Sequence, residues 1–206
     1  MDVDRPASGE HLNLGEPTTP RQAASVILLR GGSEALEVLL LRRNPEARFM
    51  GGAWVFPGGA VDAHEGTGDA SHRAAAVREV DEEVGITLPD PAALIPFARW
   101  ITPPEVSIRF DTYFFLAVAP DRAEIEIDGS EIVDARWFEP SRALEGAEAG
   151  ELLMVFPTIK NLEAIARFGS ADELLQWAST HEVRPVQPRV EGQGEAARIV
   201  LDDDDA

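Results

Sequence analysis

An α/β fold is what this sequence predicts, and three observations predict it. Two continuous apolar runs, at 23–30 and 36–42, have the length and composition of strands. An alanine-rich run leading up to Gly85 has helical spacing, and the chain turns helical again after Pro140. With 206 residues and 44% apolar content, the chain can build one domain with a real core, plus appendages.

Taken in order, residues 1–20 are rich in Pro, Gly, Glu and Thr and read as a flexible arm. The two strands follow, with Gly31-Gly32-Ser33 as the turn between them. Their apolar residues are continuous, which suits a sheet covered on both faces. Residues 45–52 read as a loop, and 53–56 lead into Phe56-Pro57-Gly58-Gly59, whose glycines allow a tight turn with exposed carbonyls. After the helical run, Leu88-Pro89-Asp90-Pro91 is a break, and 93–101 fits either a short helix or a strand. Thr102-Pro103-Pro104-Glu105 is a stiff turn, 110–118 is the most strand-like run, and Gly129-Ser130 turns into a strand ending at Phe138. Helices are expected at 141–149, 157–168 and 171–179, the last with Ser170 as N-cap and Glu173 three residues on. The segments 184–190 and 197–201 flank a Gly-Glu-rich turn and suit a small hairpin, and 202–205 is an acidic, solvated tail. The expected organisation is an arm (1–20), a main domain (21–145), a helical extension packed on it (146–181), and a terminal hairpin with its tail (182–206).

Charge narrows the function. Thirty-seven acidic against 18 basic residues give a net charge of −19, which argues against a nucleic acid polymer as partner. A phosphorylated small molecule remains open, because a bound cation can offset its charge. There is no cysteine, hence no disulfide framework and no thiol chemistry. The acidic N-terminus lacks the apolar stretch of a secretory signal, and no run approaches a membrane span. A cytoplasmic protein is the expectation; a homodimer is compatible with it.

The chemistry concentrates in Arg78-Glu79-Val80-Asp81-Glu82-Glu83-Val84-Gly85. At about 100° per residue, Glu79, Glu82 and Glu83 share one arc of a helix, and Val77, Val80 and Val84 share a neighbouring one. Crowded carboxylates raise one another's pKa unless a cation neutralises them. Hard oxygen donors suit Mg²⁺ or Mn²⁺ rather than zinc. Arg78, beside Glu79 and four residues before Glu82, can hold a carboxylate in place. The bland alternative is a solvated, Glu-rich helix; the glycine turn upstream, able to add a backbone oxygen, weighs against it.

This stretch resembles the Nudix box: Gly, five residues, Glu, seven residues, then Arg-Glu-apolar-any-Glu-Glu-any-Gly-apolar. The closing half is intact from Arg78 to Ile86. In the opening half, Glu65 fits the interval from Gly59, but twelve residues (66–77) then precede Arg78 in place of seven. Counting back from Arg78 puts the first Glu at Ala70, with Asp69 and Asp62 nearby, so two counts leave that position open. The five-residue expansion around Gly66-Thr67-Gly68 is expected to be a surface bulge outside the catalytic shell.

The resemblance implies a Nudix-type α/β/α sandwich with a mixed, curved sheet and a C-terminal helical extension. It implies hydrolysis of a diphosphate linkage, with Mg²⁺ or Mn²⁺ held by Glu79, Glu82, Glu83 and the carbonyl of Gly58 or Gly59, and Arg78 in support. Glu131 precedes Trp137 by six residues, as in a Nudix segment whose Glu faces the metals, and is the first choice of base outside the box. Glu105 is its rival. The segment 39–62, LLLRRNPEARFMGGAWVFPGGAVD, is similar to the coenzyme A-directed Nudix branch, Arg43 and Asn44 matching its Arg and small polar residue. The expanded box and Trp-Ile-Thr-Pro-Pro look like the peroxisomal acyl-CoA diphosphatase group. Arg43 and Arg48, with Arg42 nearby, are the expected phosphate contacts. Trp100, Phe110 and Tyr113 are candidates to line the pocket, or simply fill the core. CoA or acyl-CoA is the expected substrate, then ADP-ribose or another nucleoside diphosphate derivative; the alternative of another class is a non-catalytic ligand-binding module.

Overall fold

The first apolar run forms β1 (Arg21–Arg30), in which Ala23 to Leu29 are all buried, so this strand has no solvent face. Alternate side chains enter different cores: Ile27 and Leu29 face one, Val26 and Leu28 the other. β2 (Glu37–Arg43) divides the same way, Val38 and Leu40 against Leu39 and Leu41. The computed structural model describes residues 12, 13, 15–121, 123–127, 129–192 and 197–201.

The sheet is mixed. β6 (Phe110–Val118) runs parallel to β1 along its length, and β5 (Ile95–Ile101) is antiparallel to β6. On its other edge β1 forks. Its C-terminal end pairs with β2, whereas Ala23, Ala24 and Ser25 pair with β4 (Gly58–Ala60). β2 turns away to pair with β7 (Ile132–Phe138) and with β3 (Trp54–Val55). The fork is what positions the candidate site.

Helix α1 (Asp69–Val84) covers one face, placing Ala75, Ala76, Val80 and Val84 against Val26, Leu28 and Phe115. α2 (Pro140–Glu148), α3 (Phe156–Ile165) and α4 (Ala171–Ala178) cover the other, Leu162, Ile165 and Leu174 joining Ile27 and Leu29. The architecture is the expected α/β/α sandwich. α1 stops at Gly85, left-handed at φ 67°, whose N–H returns to the Asp81 carbonyl at 2.9 Å. A side chain there costs roughly 1 kcal/mol of backbone strain.

Several boundaries differ from the sequence reading. Of the ambiguous segment 93–101, only Ala93 is helical, ending a 3₁₀ turn (Pro91–Ala93) whose Ala92 N–H meets the Asp90 side chain; pairing with β6 makes 95–101 strand. Ser170 caps α4 by accepting the Glu173 N–H at 3.2 Å, but the Glu173 carboxylate takes the Gly169 N–H instead of closing a box on Ser170. The expected terminal strand 184–190 is split at Gln187-Pro188. β8 (Pro185–Val186) extends the sheet beside β5, and β9 (Arg189–Glu191) forms a separate antiparallel pair with β10 (Arg198–Val200). The acidic tail 202–205 lies outside the described residues. Part of the expected arm is docked: Leu12 bridges Val106, Asn13 donates to the Glu105 carbonyl at 2.6 Å, and Arg109 donates to the Thr18 carbonyl at 2.6 Å. Residues 1–11 and 14 are not among those described. No helix of the described residues is long and apolar enough to cross a membrane.

Candidate active site

Where β1 forks, the glycine turn is brought against α1. Gly58, at φ 155°, is required there by close approach, since a β-carbon would overlap the β1 backbone at Ala24 and Ser25; one at Gly59 would press on the carboxylate of Glu79. The neighbouring Gly58 N–H donates to Glu83 Oε2 at 2.9 Å. Strand β4 and helix α1 are thus tied through two of the three box carboxylates.

Arg78 organises the rest with all three of its nitrogens. Nε donates to Glu65 Oε1 at 3.0 Å, Nη1 to Glu79 Oε1 at 2.7 Å and Glu82 Oε2 at 2.9 Å, and Nη2 to the Ala60 carbonyl at 3.1 Å. Arg78 thus contacts both of the carboxylates that the sequence placed near it and, in addition, Glu65. Glu65 closes on it because Gly66 and Gly68 loop outward into open space, where an added β-carbon would meet nothing. The count from Gly59 thus leads to a residue that contacts Arg78, and the residues after it bulge outward. The Glu65 carboxylate, just before the expansion, is buried on Arg78.

The three box carboxylates are not equivalent. Glu82 is exposed, Glu79 half-buried and Glu83 buried. Burial pushes the Glu83 carboxyl up to about 8, since the Gly58 N–H offsets it only partly and Glu79 adds repulsion. Burial also raises Glu79, against the Arg78 bond, with Glu82 and Glu131 repelling it further. At Glu65 burial acts in the same direction but is outweighed by Arg78 and the Asp62 N–H, so its carboxyl is held below the usual range. Burial alone would lower Arg78; its bonds to Glu65, Glu79 and Glu82 outweigh that and raise it.

This donor set fits a hard divalent cation. It consists of oxygens only, and burial, with carboxylate repulsion added to it, raises the Glu79 and Glu83 carboxyls, a cost that a bound cation would relieve. In the present arrangement, no three His, Asp or Glu side chains among the described residues are gathered closely enough to hold an ion. Glu79 and Glu82 are turned to Arg78, and Glu83 to Gly58.

A cavity of about 530 Å³ opens beside the cluster. Glu79, Glu82, Glu131, Arg43 and the Gly58-Gly59 backbone line its polar part. Arg43 Nη2 bonds Glu131 Oε1 at 2.9 Å, and Arg43 Nε is buried with no hydrogen-bond partner. Glu131 thus lines the cavity beside the carboxylate cluster. Arg48 does not: it is exposed and outside the cavity lining, and so is Arg42. Asn44 is used locally, bonding the Ser130 carbonyl and the Glu46 N–H. Glu105 is also outside the lining, its Oε2 buried without a partner. Trp100 lines the cavity, but its indole N–H is committed to Asn161 Oδ1 at 3.1 Å. Phe110 lines it too, whereas Tyr113 packs against the His72 ring and the α1-side core.

The remainder of the lining, Arg21 and four hydroxyl residues apart, is apolar and includes Phe49, Phe56, Phe114, Phe156 and Ile199. Sequence reasoning missed this lobe. Its residues come from segments far apart in the chain, so no local pattern announces them, and each alone reads as core.

Comparison with known proteins agrees with this fold. A C. elegans protein carrying the name nudix hydrolase 7 is 29% identical over 189 residues, covering 75% of this chain; the match spans 63% of the relative's length. The human acyl-coenzyme A diphosphatase NUDT19 is 25% identical over 268 residues, covering 77% of this chain and 72% of the relative. The crystal structure of a NUDIX hydrolase from Alicyclobacillus acidocaldarius superposes with a TM-score of 0.70 at 27% identity, covering 80% of this chain and 99% of that one. The NUDIX domain profile matches residues 19–157, from just before β1 to the start of α3. The chain belongs to the NUDIX family.

Proposed function

We propose that this chain hydrolyses the diphosphate linkage of a nucleoside diphosphate derivative, with CoA or an acyl-CoA as its substrate. The observation that carries the proposal is the carboxylate cluster opening directly into a cavity with an apolar lobe. Glu79, Glu82, Glu83 and the Gly59 carbonyl are the groups that would hold Mg²⁺ or Mn²⁺. Such a cation, when bound, supplies charge neutralisation for the diphosphate and a more acidic water.

The chain's own residues do the rest. Arg78 keeps Glu79 and Glu82 in register against their repulsion. Arg43, with an unpartnered Nε in the site, meets a phosphate oxygen through a charge-assisted bond. Glu131, on the cavity wall, takes the proton of the attacking water. The lobe shields the uncharged part of the substrate from water. Support for the CoA assignment comes from the 39–62 segment and from the similarity to NUDT19.

A second substrate is favoured by the aromatic lining, which also suits a purine base. ADP-ribose is that alternative. Rates on CoA, its 3′-dephosphorylated form and ADP-ribose separate the two. Preference for CoA over the dephosphorylated compound, with Arg43→Glu raising KM for CoA, supports the first. Equal rates on both CoA forms with faster ADP-ribose cleavage selects the second.

A further inference from the structure

Arg109 is buried, yet among the described residues none of its hydrogen-bond partners is a carboxylate. Nε donates to the Thr102 carbonyl at 3.0 Å, Nη1 to the Thr18 carbonyl at 2.6 Å, and Nη2 to Gln187 Oε1 at 3.4 Å. These acceptors belong to three separate segments: the residues before β1, the loop between β5 and β6, and the stretch between β8 and β9. The Arg109 carbonyl also takes the Arg21 N–H at 2.9 Å. A guanidinium is a planar fork with fixed donor directions, so it sets its acceptors relative to one another in a way that an ammonium or an apolar side chain does not.

Arg109 itself does not line the cavity, but what it holds does. Thr102 is in the lining, together with Pro103 and Val106 of the same loop. Gln187 precedes Pro188, which is in the lining, as is Ile199 of β10. These five residues carry no charge and form part of the wall of the lobe. Charged lining residues are confined to Arg21, Arg43, Glu79, Glu82 and Glu131.

We propose that Arg109 is a positioning residue that fixes this wall, and through it the fit of an uncharged aliphatic chain carried by the substrate. This deepens the function proposed above and rests on it for the identity of the headgroup. The wall is assembled where distant parts of the chain converge, so Arg109 acts on chain accommodation and not on the bond being broken.

The test uses Arg109→Met, Arg109→Lys and Gln187→Leu, the last removing the weakest of the three contacts so that a folded variant is available. KM and kcat are measured for CoA and decanoyl-CoA, and 1-decanol binding is measured by calorimetry, which needs neither metal nor nucleotide. The expected result is a fivefold or greater rise in KM for decanoyl-CoA in Arg109→Met, a smaller rise in Gln187→Leu, and CoA parameters within twofold of the unsubstituted protein. Decanol affinity should fall in parallel, and Arg109→Lys should recover part of both. Equal effects on CoA and decanoyl-CoA, or decanol binding absent from the unsubstituted protein or unchanged in the folded variants, overturns the assignment of Arg109. Loss of decanol binding in the variants of a protein that cleaves no CoA compound leaves the wall standing and removes the CoA substrate instead.

Discussion

Glu83 shows how one side chain links the fold to the chemistry. It lies on the same face of α1 as Glu79 and Glu82, but the Gly58 turn covers it and its carboxyl rises to about 8. A carboxyl raised from 4.5 in the unfolded chain to about 8 in the folded one holds its proton more tightly when folded. Stability contributed by that proton is therefore full below pH 4.5 and is lost as pH rises toward 8. In chelator, Glu83→Gln should gain on the unsubstituted protein across this window by a few kcal/mol, roughly 5–10 °C in Tm. Melting curves at pH 5 and pH 9 check this; a constant difference contradicts it. The three box carboxylates were legible because helical spacing alone puts them on one arc. Glu65 was not settled, because an insertion shifts the count and only folding shows which residue returns to Arg78. Glu65→Gln should therefore lower metal affinity or kcat by roughly 10- to 100-fold, as loss of a supporting contact does, while the fold survives. A value within twofold would mean that Arg78 does not need it.

Among the elements, most of the long ones could be read, β5 excepted, and most of the short ones could not, the β9–β10 pair excepted. β6 occupies 110–118 as expected, and β1 and β2 lie within two residues of their expected bounds, since continuous apolar runs specify them. β3, β4 and β8, at two or three residues each, are strands only because a neighbour pairs with them, a tertiary effect with little propensity behind it. The expanded loop before α1 has two parts of different kinds. Gly66 and Thr67 are exposed, whereas the Gly68 carbonyl accepts from Ser71 Oγ and the His72 ring, both at 2.7 Å, at the start of the helix. Shortening the loop by two residues while keeping Glu65 and Gly68 should change stability by about 1 kcal/mol or less and leave kcat within threefold. Chemical denaturation and steady-state rates check both. A tenfold fall in kcat with an unchanged fold would place the bulge in the site.

At the scale of the molecule, a forked sheet between two helical layers holds the acidic cluster at one side of the fork and the apolar lobe beside it. The sandwich followed from strands that are apolar on both faces and from the box resemblance. The lobe did not, because residues from near 50, 100, 156 and 199 meet only after the three layers and the terminal segments have assembled. The central claim is that this assembly cleaves a diphosphate through the carboxylates of α1. Mass spectrometry of CoA incubated with the protein across a Mg²⁺ titration, beside Glu82→Gln and Glu83→Gln, tests it most directly. The predicted result is Mg²⁺-dependent appearance of 4′-phosphopantetheine and adenosine 3′,5′-bisphosphate, with turnover at least 100-fold lower in both folded variants. Near-unsubstituted turnover by both variants in saturating Mg²⁺, or no metal-dependent cleavage of CoA, acyl-CoA or ADP-ribose by the intact protein, would contradict it.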